Sequence, residues 1–471
     1  MLKDKSAQTR LACVLIAILI VAAAALLPTP AGLSDAGKMS LALLVAGVFV
    51  WVTEPVPFAV SGFAILIAIP TLGILPLNAA EGVTVWTSFV SSALFFMLAS
   101  FGISAALLKT KIPTKIAYFL LKLSKGTTKG VILAFMLSTA AISLFVSDLP
   151  CCALMAGIAM SSILKLEGAE PGTSKLGRCL MICIPYAAAI GGEALPSGSS
   201  MNIMAIGMLR ATTGIEISFL DWAIICAPVA IILLFVAWVS VVMVHRPEPI
   251  SQKTVDHIMD LATNGQKFDS TDWKVSIITL LTFAVWISSN WTGWDATVIA
   301  LFGLALLFLP GIEALTWSEY MKGVSWNVML LIGCVQSLAA GMKEQGASSW
   351  LINASIGNFA LGAFTLTTAS ACIVPLIRLL IPVGPALIAI ALVPLCVLGQ
   401  TIGISPVFFT VIVGISASTS LMNGLDSIAM LSYRYSYWNL IDYFKSGIAP
   451  TVALMLMHAF MILPIITALG Y

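Results

Sequence analysis

Long apolar stretches recur along this chain and are separated by short polar connections. Of its 471 residues, 60% are hydrophobic and 9% are charged, whereas soluble domains carry about 25% charged residues. A soluble core cannot hide that much apolar surface, and a helix that crosses a bilayer needs about 20 apolar residues. The sequence therefore predicts an all-α polytopic membrane protein with about 11 spanning helices in a lipid bilayer.

The distribution of basic residues predicts how the chain is oriented in the membrane. Lys and Arg cluster near the N-terminus and again over residues 109–129, and short loops rich in these residues stay in the cytoplasm. We therefore expect a cytoplasmic N-terminus; the membrane itself is expected to be a bacterial inner membrane. The long polar stretch at 246–274 mixes both charge signs and is predicted to be a cytoplasmic linker between two halves.

Composition and motifs argue against several other classes of protein. The net charge of +2 gives no basis for binding nucleic acid. The sequence lacks the Gly-x-x-x-x-Gly-Lys-Ser/Thr loop that cradles nucleotide phosphates. Its three histidines and nine cysteines show no metal-binding or disulfide spacing. We expect neither an enzyme nor a bound organic cofactor.

The two halves of the chain carry similar features in the same order. Each half has an Ala-Ala segment ending in Lys, then a helix interrupted by Pro or Gly, then a small polar patch. Matching interruptions of this kind predict an inverted repeat with a binding site near its centre. The matched pairs are 105–109 with 339–343, 147–150 with 382–385, and 196–200 with 418–427.

Two apolar segments, 88–108 and 326–342, contain Ser, Gly or Gln at intervals and then run into charged residues. Non-helical backbone at membrane depth is tolerated only where protein or a water-filled cavity surrounds it. We expect these segments to be re-entrant hairpins. The predicted fold is thus an inverted repeat with two re-entrant hairpins and broken helices.

Asp148 lies within an apolar stretch, between Ser147 and the helix-breaking Pro150. A carboxylate at membrane depth is costly and usually serves an ion pathway. Together with the Ser147 hydroxyl and freed carbonyls, it would offer the hard oxygen ligands that suit a small cation or a proton. The alternative is an aspartate at a helix end near the membrane interface.

The polar patch after residue 195 precedes a new apolar stretch that is predicted to be a helix. Backbone N–H groups at a helix start attract anions, and the hydroxyls of Ser197, Ser199 and Ser200 add further donors. Glu193 lies just before this patch, and two roles remain open for it. It either pairs with a Lys or Arg or titrates by itself.

The second half carries a similar polar cluster with Asn423, Asp426 and Ser427. Arg378 is isolated among apolar residues, and three roles remain open for it. It pairs with an intramembrane acid, contacts an anion, or extends its charged end towards a helix terminus.

Several segments resemble the divalent anion/sodium symporter family of the wider ion-transporter superfamily. Trp51-Val-Thr-Glu-Pro-Val-Pro57 resembles the family's Trp-x-Thr-Glu-Ala-Ile-Pro segment. Residues 186–192 and 196–202 resemble its Ile-Gly-Gly run and its Pro-x-Gly-Ser-Pro-Pro-Asn loop. The likeness continues, more weakly, through 326–350 and 437–447.

The resemblance implies where cations bind, and the sequence departs from the family there. Members carry a Ser-Asn-Thr triplet in each half that helps to bind sodium and a substrate carboxylate. This chain has Ser147-Asp148-Leu149 at the first position and Gly384-Pro385-Ala386 at the second. The first cation site is expected in altered form, with Asp148 in place of Asn, whereas the second lacks oxygen-bearing side chains.

By resemblance, the protein is expected to be a homodimeric secondary active transporter with an alternating-access, elevator-type mechanism. It would carry a small organic or inorganic anion, of the carboxylate, sulfate or sulfonate class, coupled to Na+ or H+. The expected regions are scaffold helices at 1–80, a transport region at 81–212, scaffold helices with the linker at 213–323, a second transport region at 324–432, and a C-terminal amphipathic segment with the last span at 433–471.

The expected site combines both halves. The predicted cation ligands are Ser147, Asp148 and Gly198, and Glu193, Arg378 and Asp426 are possible charge partners. An alternative function is a cation/proton antiporter of the same superfamily, in which Asp148 and Asp426 carry the protons. The residues expected to bind the anion are Ser197, Ser199, Ser200, Asn202, Asn423 and Ser427.

Overall fold

The computed structural model describes residues 6–78, 82–124, 126–264, 267–356, 362–381 and 383–471. These residues form helices and connecting loops without a β-strand, which confirms the predicted all-α class. Many helices begin after a Ser or Thr whose side-chain oxygen accepts a hydrogen bond from the first turn. Ser34, Thr127 and Ser174 each cap a helix in this way.

The first half contains ten helices in its described residues. A π-helical turn, Met160–Leu164, continues α8, and a 3-10 turn, Pro196–Gly198, lies between α9 and α10. The helices are α1 Ala7–Leu26, α2 Asp35–Thr53, α3 Phe58–Thr71, α4 Val85–Phe89, α5 Ser92–Lys109, α6 Ile112–Lys122, α7 Thr128–Ser143, α8 Asp148–Ala159, α9 Lys175–Glu193 and α10 Ser200–Thr213.

The second half follows with thirteen helices in its described residues. A π-helical turn, His458–Ile462, joins the last two helices. They are α11 Phe219–His245, α12 Gln252–Asn264, α13 Ser270–Thr292, α14 Ala296–Phe308, α15 Trp317–Gly323, α16 Trp326–Glu344, α17 Ala347–Ile356, α18 Ala363–Leu380, α19 Gly384–Thr401, α20 Pro406–Ser418, α21 Ser427–Tyr433, α22 Leu440–Met457 and α23 Leu463–Ala468.

The apolar helices agree with a protein that spans a membrane. Eight helices of the described chain are long and apolar enough to cross a bilayer, or nine if the bent pair α15–α16 is counted as one span. Five shorter apolar helices, α3, α7, α8, α14 and α20, also lie in the bundle. The predicted number of about 11 spans counts some of these shorter helices as complete crossings.

The predicted positions of the re-entrant hairpins are wrong. Residues 92–109 form the single helix α5, and residues 326–344 form the single helix α16. The small residues in these helices allow close packing and do not break the helix. Gly102, for example, faces Leu304 and Tyr320, and Gly333 faces Phe89.

The hairpins lie instead at α7–α8 and at α18–α19. Thr128, at the start of α7, accepts a hydrogen bond from the N–H of Ile250, and Glu167, after α8, accepts one from the N–H of Ser251. Both ends of the first hairpin therefore return to the same face. The turn of the second hairpin lies at the C-terminal end of α20, where Gly384 faces the Ala417 carbonyl. Pro382 lies outside the described residues.

The two halves interlock around two broken helices. The first broken helix consists of α9 and α10, and the second consists of α20 and α21. Helix α10 packs against α19 and α20 of the second half, while α21 packs against α8 and α9 of the first half. Each broken helix thus contacts the hairpin of the other half, so the two halves meet at their helix interruptions.

Several basic side chains of the described chain lie at one face of the bundle, here called the basic face. Lys109 pairs with Glu319 at 2.8 Å, and Arg178 pairs with Asp442 at 3.2 Å. Lys111 donates to Asp269 at 3.1 Å, and this hydrogen bond raises the pKa of Lys111. The opposite face is the one where Lys343 of α16 donates to the carbonyl of Ala211, at the end of α10.

Candidate functional site

Asp148 lies at the tip of the first hairpin and contacts the first broken helix. It begins α8 and is only 6% exposed. One carboxylate oxygen, Oδ1, accepts hydrogen bonds from the Leu149 N–H at 2.9 Å and the Ser147 hydroxyl at 3.2 Å. The other, Oδ2, accepts one from the Ser199 hydroxyl at 3.1 Å. The fold therefore brings Ser147, Asp148 and Ser199 together.

Gly198 allows the loop before α10 to approach the hairpin closely. A Cβ atom at this position would lie 2.5 Å from the Gly192 carbonyl oxygen and 2.9 Å from the Ser143 carbonyl oxygen. Any side chain would force the loop away from the hairpin. The result is a buried group of carboxylate, hydroxyl and carbonyl oxygens, which is the ligand chemistry that a hard monovalent cation requires.

The serines of the loop differ in their surroundings. The Ser197 side chain is 9% exposed, and its buried hydroxyl has no hydrogen-bond partner. Ser199 caps α10, because its hydroxyl accepts from the Met201 N–H at 3.4 Å. Ser200 begins α10 and is partly exposed. Ser197 and Ser200 are thus the hydroxyls at this helix start that remain available to a ligand.

Asn202 was predicted to contact an anion, but its amide is engaged within the loop. The Nδ2 group donates to the carbonyls of Gly192 and Leu195, both at 2.9 Å. The remaining group, Oδ1, is buried without a partner, and an oxygen acceptor does not favour an anion. This geometry supports a role for Asn202 in holding the end of α9 against the start of α10.

Arg378 and Asp426 form a buried ion pair in the second half. Arg378 lies in the last turn of α18, and Asp426 caps the start of α21. Their side chains are 4% and 7% exposed and contact each other directly. Arg378 also donates to the Ile381 carbonyl at 2.6 Å. Of the three roles open for Arg378, the structure shows pairing with an intramembrane acid.

The other predicted residues of the second half differ in what they offer a ligand. Asn423 uses both ends of its amide, donating to the Leu379 carbonyl at 3.3 Å and accepting from the Leu425 N–H at 3.0 Å. Ser427 begins α21 and is exposed. Gly384 and Pro385 begin α19 and bring no side-chain oxygen. The second half therefore offers fewer free oxygen atoms than the first.

Glu193 ends α9 and is completely buried. Among its described neighbours it pairs with neither Lys nor Arg. Instead, the hydroxyl of Thr419 donates to its Oε2 atom. Because Thr419 follows α20, this hydrogen bond joins the loops of the two broken helices.

Two structural contributors were missed from the sequence. Tyr186 lies within hydrogen-bond distance of the carbonyls of Leu421 and Tyr443, at 2.6 and 2.8 Å, and so fixes the loop between α20 and α21. It heads the 186–192 motif, which was the available signal for its importance. Thr419 carried no comparable signal, because an isolated Thr in an apolar stretch is common.

A cavity of about 480 Å³ opens near the face opposite the basic face and reaches Pro196 in the loop between α9 and α10, here called the first loop. It lies among α5, α10, α11, α13 and α14. Arg210 pairs with Glu216 at 2.9 Å in its wall, and Tyr471 donates to Asp221 at 2.7 Å. The cavity therefore leads from the opposite face to the loop that carries Ser197.

Comparison with known families gives a match over nearly the whole chain. Residues 8–470 match the family described as the sodium:sulfate symporter transmembrane region.

Two curated relatives have the name sodium-dependent dicarboxylate transporter SdcS. The one from Staphylococcus saprophyticus is 28% identical over 351 residues, which cover 69% of this chain and 66% of the relative. The one from Staphylococcus aureus strain USA300 is 26% identical over 327 residues, covering 64% of this chain and 61% of the relative. The aligned regions thus span just under two thirds of these relatives, which are transporters and not enzymes.

A solved structure shares the fold at low sequence identity. The chain is similar to the YdaH transporter of Alcanivorax borkumensis, whose crystal structure is described as having an unusual topology. The TM-score is 0.54 at 12% identity, and the superposition covers 90% of this chain and 99% of that transporter.

Proposed function

This chain belongs to the sodium:sulfate symporter family, as the resemblance of residues 51–57 and 186–202 predicts, and we propose that it is a sodium-coupled secondary transporter of a small anion. The proposed substrate belongs to the carboxylate, sulfate or sulfonate class. The contact between Asp148 and Ser199 carries this proposal, because it joins the hairpin tip to the interrupted helix in a buried, oxygen-rich group.

The coupling cation binds, in this proposal, at Ser147, Asp148 and Gly198. The buried carboxylate accepts hydrogen bonds but has no basic partner among the described residues that contact it. Isolated buried charge is costly, so a sodium ion here would relieve that cost. Once Asp148 is neutralised, the start of α10 with Ser197 and Ser200 becomes favourable for an anion. Cation binding would therefore precede and promote anion binding.

The second half needs no second cation, in this proposal. The Arg378 guanidinium contacts both the Ile381 carbonyl of the hairpin turn and the Asp426 carboxylate that caps α21. A cation at the corresponding place in the first half would likewise lie between a hairpin tip and the start of the second helix of a broken pair, here α10. A resident guanidinium supplies that positive charge permanently, so we propose one sodium ion per transported anion.

The moving part is proposed to consist of α7–α10 and α18–α21, because these helices interlock. Helix α5 packs mainly on α14, and less extensively on α10 and α15, so we place it with the scaffold, although the sequence predicts a transport region over 81–212. We propose an elevator-type movement of this part in a homodimer. The basic face would be cytoplasmic, with the protein in a bacterial inner membrane.

Uptake by proteoliposomes tests the proposed function. Purified protein is reconstituted, and accumulation of radiolabelled sulfate or succinate is measured with and without an inward sodium gradient. We expect one of the two anions to accumulate only with the gradient. Sodium flux against protons that is independent of every anion would favour the alternative, a cation/proton antiporter.

A further inference from the structure

The Glu193 carboxyl group is enclosed by the two halves without a basic partner. Its side chain is 0% exposed. Oε2 accepts a hydrogen bond from Thr419, whereas Oε1 is buried and has no partner. The proposed cation and anion sites do not use this group, so its presence at full burial needs its own explanation.

The position of Glu193 is unfavourable for a negative charge. Glu193 is the last residue of α9, and Thr419 is the residue that follows the last turn of α20. The carboxyl group therefore lies at the C-terminal ends of two helices, where the helix dipoles present partial negative charge. A carboxylate there would be both desolvated and repelled, since it has no counter-ion.

The neighbouring elements bring few titratable groups towards Glu193. Helix α11 brings Cys226. Helix α8 begins with Asp148. Helix α21 is capped by Asp426, which is already paired with Arg378. Helix α20 contains no titratable residue, and α7 has only Lys129, at its distant start. The described surroundings thus provide no positive charge that is free to balance Glu193.

The local oxygen atoms favour a proton over a metal ion. The carbonyl of Glu193 accepts a hydrogen bond from the Trp222 indole at 3.0 Å, and the carbonyl of Gly192 accepts one from Asn202 at 2.9 Å. These backbone oxygens are therefore engaged, which leaves Oε1 and the Thr419 hydroxyl. Two oxygens are too few for a sodium or calcium ion, but one suffices for a proton.

We propose that Glu193 is a proton-binding site separate from Asp148, and that its proton is bound and released during transport. In the state described here the carboxyl group is protonated and bonded to Thr419, so that the loops of the two broken helices are held together. Loss of the proton leaves an uncompensated charge in a fully buried position, which destabilises the state in which the two loops enclose the carboxylate. The coupling of the proton to anion movement rests on the proposed function, whereas proton binding itself does not.

Infrared difference spectroscopy of the reconstituted full chain tests proton binding without requiring transport. A protonated buried carboxyl group gives a C=O stretching band that is lost on deprotonation. We expect such a band in the wild type, its disappearance at high pH, and its absence in Glu193→Gln. In Thr419→Val the band should shift, because the carboxyl group loses its hydrogen-bond partner. This second variant assigns the band even if Glu193→Gln does not fold.

Proton counting tests the coupling. A pH-sensitive dye inside the vesicles reports protons moved per labelled sulfate or succinate ion. We expect Glu193→Gln to move one proton fewer per anion than the wild type, and we expect its sodium-driven accumulation to respond less to an imposed pH gradient. Equal proton counts in both proteins would overturn the transport role, and the absence of any Glu193-dependent band would overturn the site itself. If the wild type moves neither anion, the proposed function fails while the infrared band still decides proton binding.

Discussion

The hydroxyl of Ser199 donates a hydrogen bond of 3.1 Å to the buried carboxylate of Asp148. The two residues are 51 positions apart in the chain and come from different elements, the loop before α10 and the tip of the α7–α8 hairpin. This contact places an ionisable group where two helix interruptions meet. Such a junction is where transporters bind their coupling ions.

We predict that Asp148→Ala abolishes sodium-coupled anion uptake, because the proposed cation site loses its only charged ligand. Asp148→Asn should retain a folded site, since an amide can still accept a hydrogen bond from Ser199. Uptake by this variant should depend less on pH than wild-type uptake does, while it still depends on sodium. Initial uptake rates in proteoliposomes at graded sodium concentration and pH measure both effects. Asp256→Ala, an exposed change on α12, is the control and should transport normally. Unaltered coupled uptake by Asp148→Ala would rule out the assignment.

Cysteines introduced in the first loop should report the anion site. In a background without reactive native cysteines, we expect Ser200→Cys to react with a water-soluble thiol reagent, because Ser200 is partly exposed. Ser197→Cys should react more slowly, since that side chain is 9% exposed. The transported anion should protect both positions. A cysteine at Ser276 of α13 is the comparison and should show no protection. Labelling that no transported anion slows would place the loop outside the site.

The buried Arg378–Asp426 pair predicts that the stability of the folded protein depends strongly on keeping both partners. Removing one member of a buried pair typically destabilises by about 3–5 kcal/mol, whereas replacing both members by uncharged residues costs much less. We expect Arg378→Met and Asp426→Asn each to lower the thermal unfolding temperature in detergent. The double variant should regain most of the loss. Additive losses in the double variant would contradict direct pairing.

The same pair predicts the sodium stoichiometry. Because the guanidinium already neutralises Asp426 and the second hairpin begins with Gly384 and Pro385, we expect uptake to depend on sodium with a Hill coefficient close to one. Sodium-dependent rates at saturating anion measure this coefficient. A steep curve with a coefficient of about two, unchanged in Asp426→Asn, would show that the second half binds its own sodium ion.

Gly198 should tolerate no side chain. An added Cβ would lie 2.5 Å from the Gly192 carbonyl, and such overpacking costs typically ~1–3 kcal/mol. We therefore expect Gly198→Ala to lower both stability and coupled uptake. The matched control is Gly157→Ala in α8, where a Cβ meets no atom within 4 Å. That change should be neutral or stabilising by up to ~1 kcal/mol, as Ala favours helix over Gly. Equal effects of the two substitutions would contradict the close approach at Gly198.

The class and family of this protein could be predicted from the sequence because they depend on composition and local pattern. Apolar stretches long enough to cross a bilayer determine the solvent and hence the helical class. The motif over residues 186–202 carries the family resemblance, and it also locates the first broken helix, since its Gly, Pro and Ser residues interrupt helical structure locally.

Tertiary structure decided the position of the hairpins. The Ser and Gly residues of α5 and α16 look like helix interruptions in the sequence, yet both helices are continuous. Small residues serve equally to break a helix and to let two helices approach closely. Only the packing partner distinguishes these roles, as for Gly333 against Phe89, and a partner distant in the chain leaves no local signal.

The partners of the charged residues were also decided by the tertiary structure. Arg378 and Asp426 are 48 positions apart, and Glu193 and Thr419 are 226 positions apart. The sequence by itself determined that these acidic and basic groups lie in apolar surroundings, where each must be paired or neutralised. Which group pairs with which depends on how the two halves interlock, because electrostatic and hydrogen-bonding interactions act through space and not along the chain.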